Sequence, residues 1–228
     1  DVAYYFKAPL LLVDLGREQE ARLALHVVAR YVDRGGAGSA NADYASTYPQ
    51  SPWLWICWAA SRLGIEDLAD SCFNKLCKYQ HQITESGLVQ EPYSHPTNFE
   101  ADFLATAMIA KAALIRKRHT SAAGAGDALL RAFEANRNNM TNRSRFNCRW
   151  RWHDGFVDDG QRGSCVMQGE PGQYYYMLGF PALVLVELAR ARLEHAVAYR
   201  AAAAEIVEFL RGCHGIFNRA AGHVAVGP

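Results

Sequence analysis

Residues 173–188 read QYYYMLGFPALVLVEL, three adjacent tyrosines followed by a long apolar run that ends near an acid. Residues 4–15, YYFKAPLLLVDL, have the same order of aromatic residues, proline, aliphatic run and acid, which suggests a repeat. Because successive helical residues turn by about 100°, three adjacent tyrosines cannot share one packed face. We therefore expect at least one tyrosine of each opening to face a cavity. The candidates are Tyr4 and Tyr5 in one opening and Tyr174, Tyr175 and Tyr176 in the other.

Helical periodicity dominates the chain, and breaking residues divide it into four pairs of helices. Gly16 and Gly64 suit helix ends, and Pro52 suits a first turn. The only strand signal is at residues 222–226. The pattern predicts helices at about residues 4–15 and 17–33, 49–63 and 66–80, 98–117 and 121–136, and 173–192 and 195–212.

The connections between these helices are unequal in a systematic way. Turns inside each pair are short, whereas the loops between pairs, at about residues 34–48, 81–97 and 137–172, are long. An antiparallel hairpin returns the chain to the end where it began. All long loops should therefore lie at one end, together with the N-termini of the first helix of every pair.

The first helix of each pair is also the more apolar one, and a helix that is apolar all round is buried on all sides. This favours one all-α domain spanning residues 1–228, an α/α toroid in which an inner ring of first helices is wrapped by an outer ring of second helices. Only four hairpins are visible, so the ring is incomplete in the manner of an unfinished (α/α)6 barrel. An α-solenoid is the competing architecture.

Composition narrows the classes of function. The net charge is +1 and basic residues are dispersed, which disfavours nucleic-acid binding. No apolar stretch is long enough to span a membrane and no signal-peptide pattern opens the sequence, so we expect a cytoplasmic protein. The six cysteines show no metal-ligand spacing, and several are expected to be buried reduced thiols. We expect neither a metal nor another cofactor.

Three segments carry a resemblance to a known family: YYFKAPLLLVDLGREQEA, YPQSPWLWICWAASRLG and QYYYMLGFPALVLVELARA, the last continued by AAAAEIVEFLRGC at residues 201–213. They resemble α/α-toroid proteins related in fold to squalene–hopene and terpenoid cyclases, and are nearest the aziridine-forming subunits of azinomycin-type biosynthesis. The resemblance implies an enzyme that works with a small partner subunit and expels sulfate from a sulfated amino-acid intermediate. The acidic DxDD motif of the cyclases is missing, since Asp158-Asp159 lacks the preceding acid. A partner subunit or a homodimer would close the ring.

The residues themselves place a candidate site at the loop-rich end. Helix N-termini aimed at one cavity favour an anionic ligand or leaving group. Lys7 would add a positive charge, and tryptophans would form an apolar wall. The candidate substrate-binding residues are Tyr4, Tyr5, Lys7, Tyr48, Trp53, Trp152, Tyr174 and Tyr175.

Proton transfer needs a carboxylate or imidazole within hydrogen-bond reach of the substrate. Glu100 has a competing role, because residues 97–100, TNFE, fit a capping box. Three functions stay open: an elimination or intramolecular cyclisation that releases an anion, a carbohydrate-active α/α-barrel enzyme, and a non-catalytic terpenoid-binding or scaffold module. The candidate catalytic residues are Asp43, His95, Glu100, His153 and Asp154.

Overall fold

The computed structural model describes residues 2–33, 51–78, 100–151, 155–156, 164–191 and 193–213, without the side chains of residues 2–4, 100 and 151. This part of the chain is mainly helical, which confirms the all-α class. A 3-10 helix, Val2–Lys7, precedes eight α-helices. These are α1 (Ala8–Asp14), α2 (Glu18–Asp33), α3 (Ser51–Arg62), α4 (Glu66–Cys77), α5 (Phe103–Ile115), α6 (His119–Arg143), α7 (Tyr176–Arg190) and α8 (Ala196–Arg211).

The eight helices form four antiparallel hairpins, α1–α2, α3–α4, α5–α6 and α7–α8, as the sequence predicts. The first helices of the hairpins pack side by side in chain order, α1 on α3, α3 on α5 and α5 on α7. The second helices also neighbour one another: Lys75 of α4 pairs with Asp33 of α2, Arg118 at the start of α6 lies 3.7 Å from Asp70 of α4, and α6 contacts α8. They therefore form a second layer on one side of this row. We call the opposite side of the row its inner face.

Ion pairs show that the short turns gather at one end of the array. Arg62, at the end of α3, is 3.3 Å from Asp14, at the end of α1. Arg116, just after α5, reaches both Glu66 at 2.6 Å and Asp70 at 2.8 Å, in the first turns of α4. The first helices therefore run parallel, and their N-termini share the opposite end, as expected.

Helix α5 is the centre of the array. Every residue from Phe103 to Ala113 is buried, because α3, α6 and α7 surround the helix. Its apolar sequence on all sides predicts this position. The helix has one charged residue, Lys111, which is buried with the rest.

Three of the four hairpins turn in the same way. Each first helix ends with a residue in the left-handed conformation, Gly16 (φ +73°), Gly64 (φ +68°) or Lys117 (φ +53°). The following N–H donates back to a carbonyl five residues earlier, which satisfies an otherwise orphaned helix end. These bonds are Arg17 to Leu12 at 2.8 Å, Ile65 to Ala60 at 2.9 Å and Arg118 to Ala113 at 2.8 Å.

The third turn is strained, since a residue with a Cβ disfavours the left-handed region. Lys117→Gly should raise the free energy of unfolding by about 1 kcal/mol, because the strain removed outweighs the added freedom of the unfolded chain. Urea unfolding measures the change. Gly64→Ala is the matched control at the same turn position and should lose about 1 kcal/mol. Changes of the same sign in the two variants, or a loss in Lys117→Gly, would contradict this account of the turn.

Five short strands lie between the hairpins in the part of the chain that the structure describes, and the sequence did not predict them. β1 (Glu100–Asp102), β3 (Arg149–Arg151) and β4 (Gly155–Phe156) form one antiparallel sheet, with Asp102 opposite Arg149. β2 (Arg145–Asn147) and β5 (Cys165–Met167) form a second antiparallel pair. Much of the third long loop is thus ordered at the loop-rich end. Residues 222–226, the one predicted strand, lie outside the described residues.

The predicted capping box at residues 97–100 is wrong, because Glu100 lies in β1 and not at the helix start. The N-cap of α5 is Asp102, whose buried carboxylate accepts a hydrogen bond of 2.8 Å from the N–H of Ala105. Residues 100–102, which fall within the helix predicted at 98–117, therefore form a strand. Helix α6 is longer than predicted, since it ends at Arg143 and not at about residue 136.

Helices α6 and α8 approach closely at Gly126. A Cβ added to Gly126 would stand 2.7 Å from the hydroxyl oxygen of the buried Tyr199, which donates 2.8 Å to Asp127. Burial raises the pKa of this phenol, and the hydrogen bond to Asp127 and the charge of Asp127 raise it further. The site thus requires glycine in the middle of a long helix.

Gly126→Ala should therefore lower the free energy of unfolding by about 1–3 kcal/mol, although alanine is the better helix former. Gly179→Ala in α7 is the control, because a Cβ there meets nothing within 4 Å. That variant should gain about 0.5–1 kcal/mol. Thermal unfolding compares the two, and a gain for both would contradict the close approach of α6 and α8.

None of the helices that the structure describes is long and apolar enough to cross a membrane.

Candidate functional site

A cluster of aromatic and charged side chains lies on the inner face, over helix α5. α3 and α7 flank α5 in the row, and Trp55 of α3 meets Phe180 of α7, with ring centroids 6.5 Å apart. Because α6 covers the other side of α5, this contact crosses the inner face. We call the group the inner aromatic cluster. Its members are Lys7, Trp55, Trp58, Lys111, Phe180 and Glu187.

An ion pair forms the floor of the cluster. Lys111 Nζ lies 2.6 and 2.7 Å from the two carboxylate oxygens of Glu187. The Lys111 side chain is 9% exposed and that of Glu187 26% exposed, so the pair lies largely below the surface. The same ammonium stands 4.1 Å from the ring centroid of Trp58, a cation–π contact. Lys111 thereby ties α5 to both α3 and α7.

Three half-buried rings form the wall of the cluster. Trp55 and Trp58, one helical turn apart in α3, stack with centroids 5.8 Å apart and planes at 16°. The ring of Phe180, in α7, contacts the ring of Trp55. The wall is apolar, and charged groups stand at both of its ends, Lys111 with Glu187 beside Trp58 and Lys7 beside Trp55.

Lys7 belongs to the cluster through Trp55. Its Nζ lies 5.2 Å from the centroid of the Trp55 ring and 5.9 Å from that of Phe6, which is buried. Burial of the side chain lowers the pKa of this amine below its usual value. Lys7 directly precedes α1, so its charge lies at the end of the array where the first helices begin.

The tyrosines of the second opening lie around the start of α7. All three are half-buried, and the rings of Tyr174 and Tyr176 are 5.6 Å apart. The Tyr175 hydroxyl donates 3.0 Å to the carbonyl of Glu170, and burial raises its pKa. In the first opening, Tyr5 is 58% exposed.

The structure leaves several predicted site residues undescribed. Asp43, Tyr48, His95, Trp152, His153 and Asp154 lie outside the described residues, as do the side chains of Tyr4 and Glu100.

Trp53 is described, and it lies apart from the inner aromatic cluster. Its ring centroid lies 4.0 Å from the Nζ atom of Lys75. Lys75 is in α4, the second helix of this hairpin, and also pairs with Asp33. Trp53 thus faces the side of the second helices, whereas Trp55 and Trp58 face inward.

The buried thiols are poor candidates for a nucleophile. All six cysteines are free, and burial raises the pKa of Cys57 to about 12 and that of Cys148 well above its usual value. A thiol held neutral in this way is a poor nucleophile. Within the described ranges, no three His, Cys, Asp or Glu side chains are placed to hold a metal ion.

A concavity of about 560 Å³ lies between α6 and α8. Arg137 closes one side through ion pairs to Glu134 at 2.7 Å and Glu205 at 2.9 Å. Gln168 occupies part of the other side and donates 2.7 Å to the carbonyl of Phe209. Its polar groups are thus engaged with one another, so this groove is a weaker candidate than the inner aromatic cluster.

The sequence prediction missed Trp58, Lys111, Phe180 and Glu187 as members of one cluster. A signal was present, because Lys111 is the only charge in the apolar run of residues 103–115. A lone lysine in a helix buried on all sides requires a partner. The matching lone acid within the apolar run of α7 is Glu187.

The fold and the cluster together define the structural class of the protein, which is an array of four helical hairpins with a charged aromatic cluster on its inner face. In comparisons with known proteins, no family model, no curated protein and no solved structure matches the chain. The relation to the toroid family therefore stays a prediction.

Proposed function

We propose that the four hairpins belong to an α/α toroid whose inner face binds a small molecule. We further propose that the chain is an enzyme of specialised metabolism, which catalyses a cofactor-free elimination or intramolecular cyclisation with loss of an anionic group such as sulfate. One observation carries this proposal: the ammonium of Lys7 stands over the half-buried Trp55 ring, at the end where the first helices begin. A positive charge beside an apolar wall suits an anion attached to an apolar body.

The proposed reaction is an intramolecular displacement. An amine of the substrate attacks the carbon that bears the sulfate, so that a C–N bond forms as the C–O bond breaks. The sulfate leaves with the electron pair of that bond, and its charge is stabilised by Lys7. A base takes the proton of the amine. Holding amine and carbon in attack geometry can supply about 7 kcal/mol or more of the rate enhancement.

The base is proposed to be one of Asp43, His95, Glu100, His153 and Asp154, all of which the sequence predicts in, or directly after, the long loops that precede first helices. We propose that a small partner subunit, or a second copy of the chain, closes the ring of hairpins. The proposed setting is the cytoplasm.

A release assay tests the function. The protein is incubated with sulfate and phosphate esters of small amino alcohols, alone and with candidate partner subunits, and free anion is measured by ion chromatography. We expect release with at least one ester, and a loss of about 100-fold in Lys7→Met, which keeps most of the apolar stem. Arg211→Gln, on the exposed surface of α8, is the control and should keep full activity. No release from any ester would overturn the proposal.

A carbohydrate-active enzyme is the second candidate, favoured by the stacked, half-buried rings of Trp55 and Trp58. Aromatic rings present flat apolar faces on which a ligand can pack. In a thermal-shift screen, this candidate requires stabilisation by oligosaccharides that is lost in Trp58→Phe. Stabilisation by anionic esters and not by sugars would exclude it. Binding of esters with no release of anion would instead indicate a non-catalytic binding module.

A further inference from the structure

The indole N–H of Trp55 is a buried donor that lacks an acceptor. Its nitrogen is covered from solvent, and no described residue accepts its hydrogen bond. Buried donors nearly always have a partner, and one without a partner calls for an explanation such as a bound group. The rest of the ring is engaged with Trp58 on one side and Phe180 on another.

Lys7 gives this donor a specific chemical setting. An indole N–H points outward in the plane of its ring, whereas the ammonium of Lys7 stands over the ring at 5.2 Å from its centroid. The two groups therefore approach a ligand from different directions. An oxygen that accepts from the N–H and carries negative charge would satisfy both, and the flexible stem of Lys7 allows its ammonium to follow the ligand.

We propose that Trp55 Nε1 and Lys7 Nζ together bind an anionic oxygen of a small ligand, a carboxylate, sulfate ester or phosphate ester whose apolar part packs on Phe180. This proposal rests on the proposed function for the location of the site. Binding of the anion itself does not require that the protein turn over a substrate. It assigns the anion of the substrate to two named donors and places its body between α3 and α7.

Titrations followed by NMR of the indole N–H groups test the site. The chain has five tryptophans, so the full-length protein labelled with 15N gives at most five indole signals, and Trp55→Phe identifies the one that belongs to Trp55. Acetate, methyl sulfate and methyl phosphate are the probes, and their separate titrations distinguish the three kinds of anion. We expect at least one of them to move the Trp55 proton downfield in a saturable way.

Two lysine variants make the test specific. Lys7→Met should weaken the response of Trp55 at least tenfold. Lys75→Met is the matched control, because Lys75 stands over Trp53 as Lys7 stands over Trp55, and it should leave the Trp55 response unchanged. Unmoved signals of the other tryptophans in Lys7→Met show that the variant is folded.

The site would be overturned if none of the three anions shifts the Trp55 signal. It would also be overturned if the signal shifts equally in Lys7→Met and in the native protein. The outcome is separate from that of the release assay. If the anions bind at Trp55 but no ester is turned over, the site stands and the proposed enzyme fails. If esters are turned over while the Trp55 signal stays still, the enzyme stands and the site fails.

Discussion

Replacing Glu187 by leucine should lower the free energy of unfolding by roughly 3 kcal/mol, one of the two largest effects we expect from a single side chain. The reason is the position of its partner, because Lys111 has only 9% of its side chain exposed. Without the carboxylate, the ammonium of Lys111 keeps its cation–π contact with the ring of Trp58 but loses two hydrogen bonds of 2.6 and 2.7 Å. A buried charge without a counter-ion is costly, whereas a paired one is nearly neutral. Urea unfolding with an unchanged m-value measures the loss.

The double variant Lys111→Met/Glu187→Leu separates the pair from the packing around it. Both replacements are apolar and similar in length to the native side chains. We expect the double variant to unfold within about 1 kcal/mol of the native protein, since no unpaired charge remains. Lys111→Met alone should cost less than Glu187→Leu, because Glu187 is 26% exposed and keeps some contact with water. Additive losses in the double variant would show that the two residues do not act as a pair.

Asn136→Ala should cost roughly 3 kcal/mol, the second large effect. The Asn136 side chain is fully buried in α6 and holds the backbone of Asn147 in β2. Its oxygen accepts 2.8 Å from the Asn147 N–H, and its nitrogen donates 3.0 Å to the Asn147 carbonyl and to that of Ala132. The alanine variant would leave two polar groups of the Asn147 backbone buried and unpaired, and each such group is expensive.

Asn142→Ala is the control for this prediction. Asn142 lies in the same helix, and its side chain donates a hydrogen bond to the exposed Asn138. Its loss should therefore change stability by less than about 0.5 kcal/mol. Both variants are compared by urea unfolding. A small effect of Asn136→Ala would mean that water reaches the Asn147 backbone and that β2 is not held by this side chain.

The hairpins could be predicted because their signals are local. Gly16 and Gly64 adopt the left-handed conformation that ends a helix, and the structure ends both helices there. The apolar circumference of residues 103–115 likewise predicts the burial of α5. The parallel order of the first helices then follows from the short turns alone.

The strands and the inner aromatic cluster depend on partners that are distant in the sequence. Strands β1 to β5 are two or three residues long, too short to show an alternating pattern. Asp102 caps α5 within the strand pairing that joins it to Arg149, and local capping rules point to the wrong residues. Lys111 and Glu187 are 76 residues apart, so only the packing of α5 against α7 brings them together.

Anomalous scattering from selenate, an analogue of sulfate, tests most directly whether the inner face binds an anion. Crystals of the native protein are soaked in selenate and measured at the selenium absorption edge. We predict a selenium peak about 4 Å from both Lys7 Nζ and Trp55 Nε1, because selenium lies one bond behind the oxygen that accepts the hydrogen bonds. The peak should be missing in Lys7→Met. Peaks confined to exposed arginines such as Arg137 and Arg211, with none on the inner face, would contradict this account of the protein.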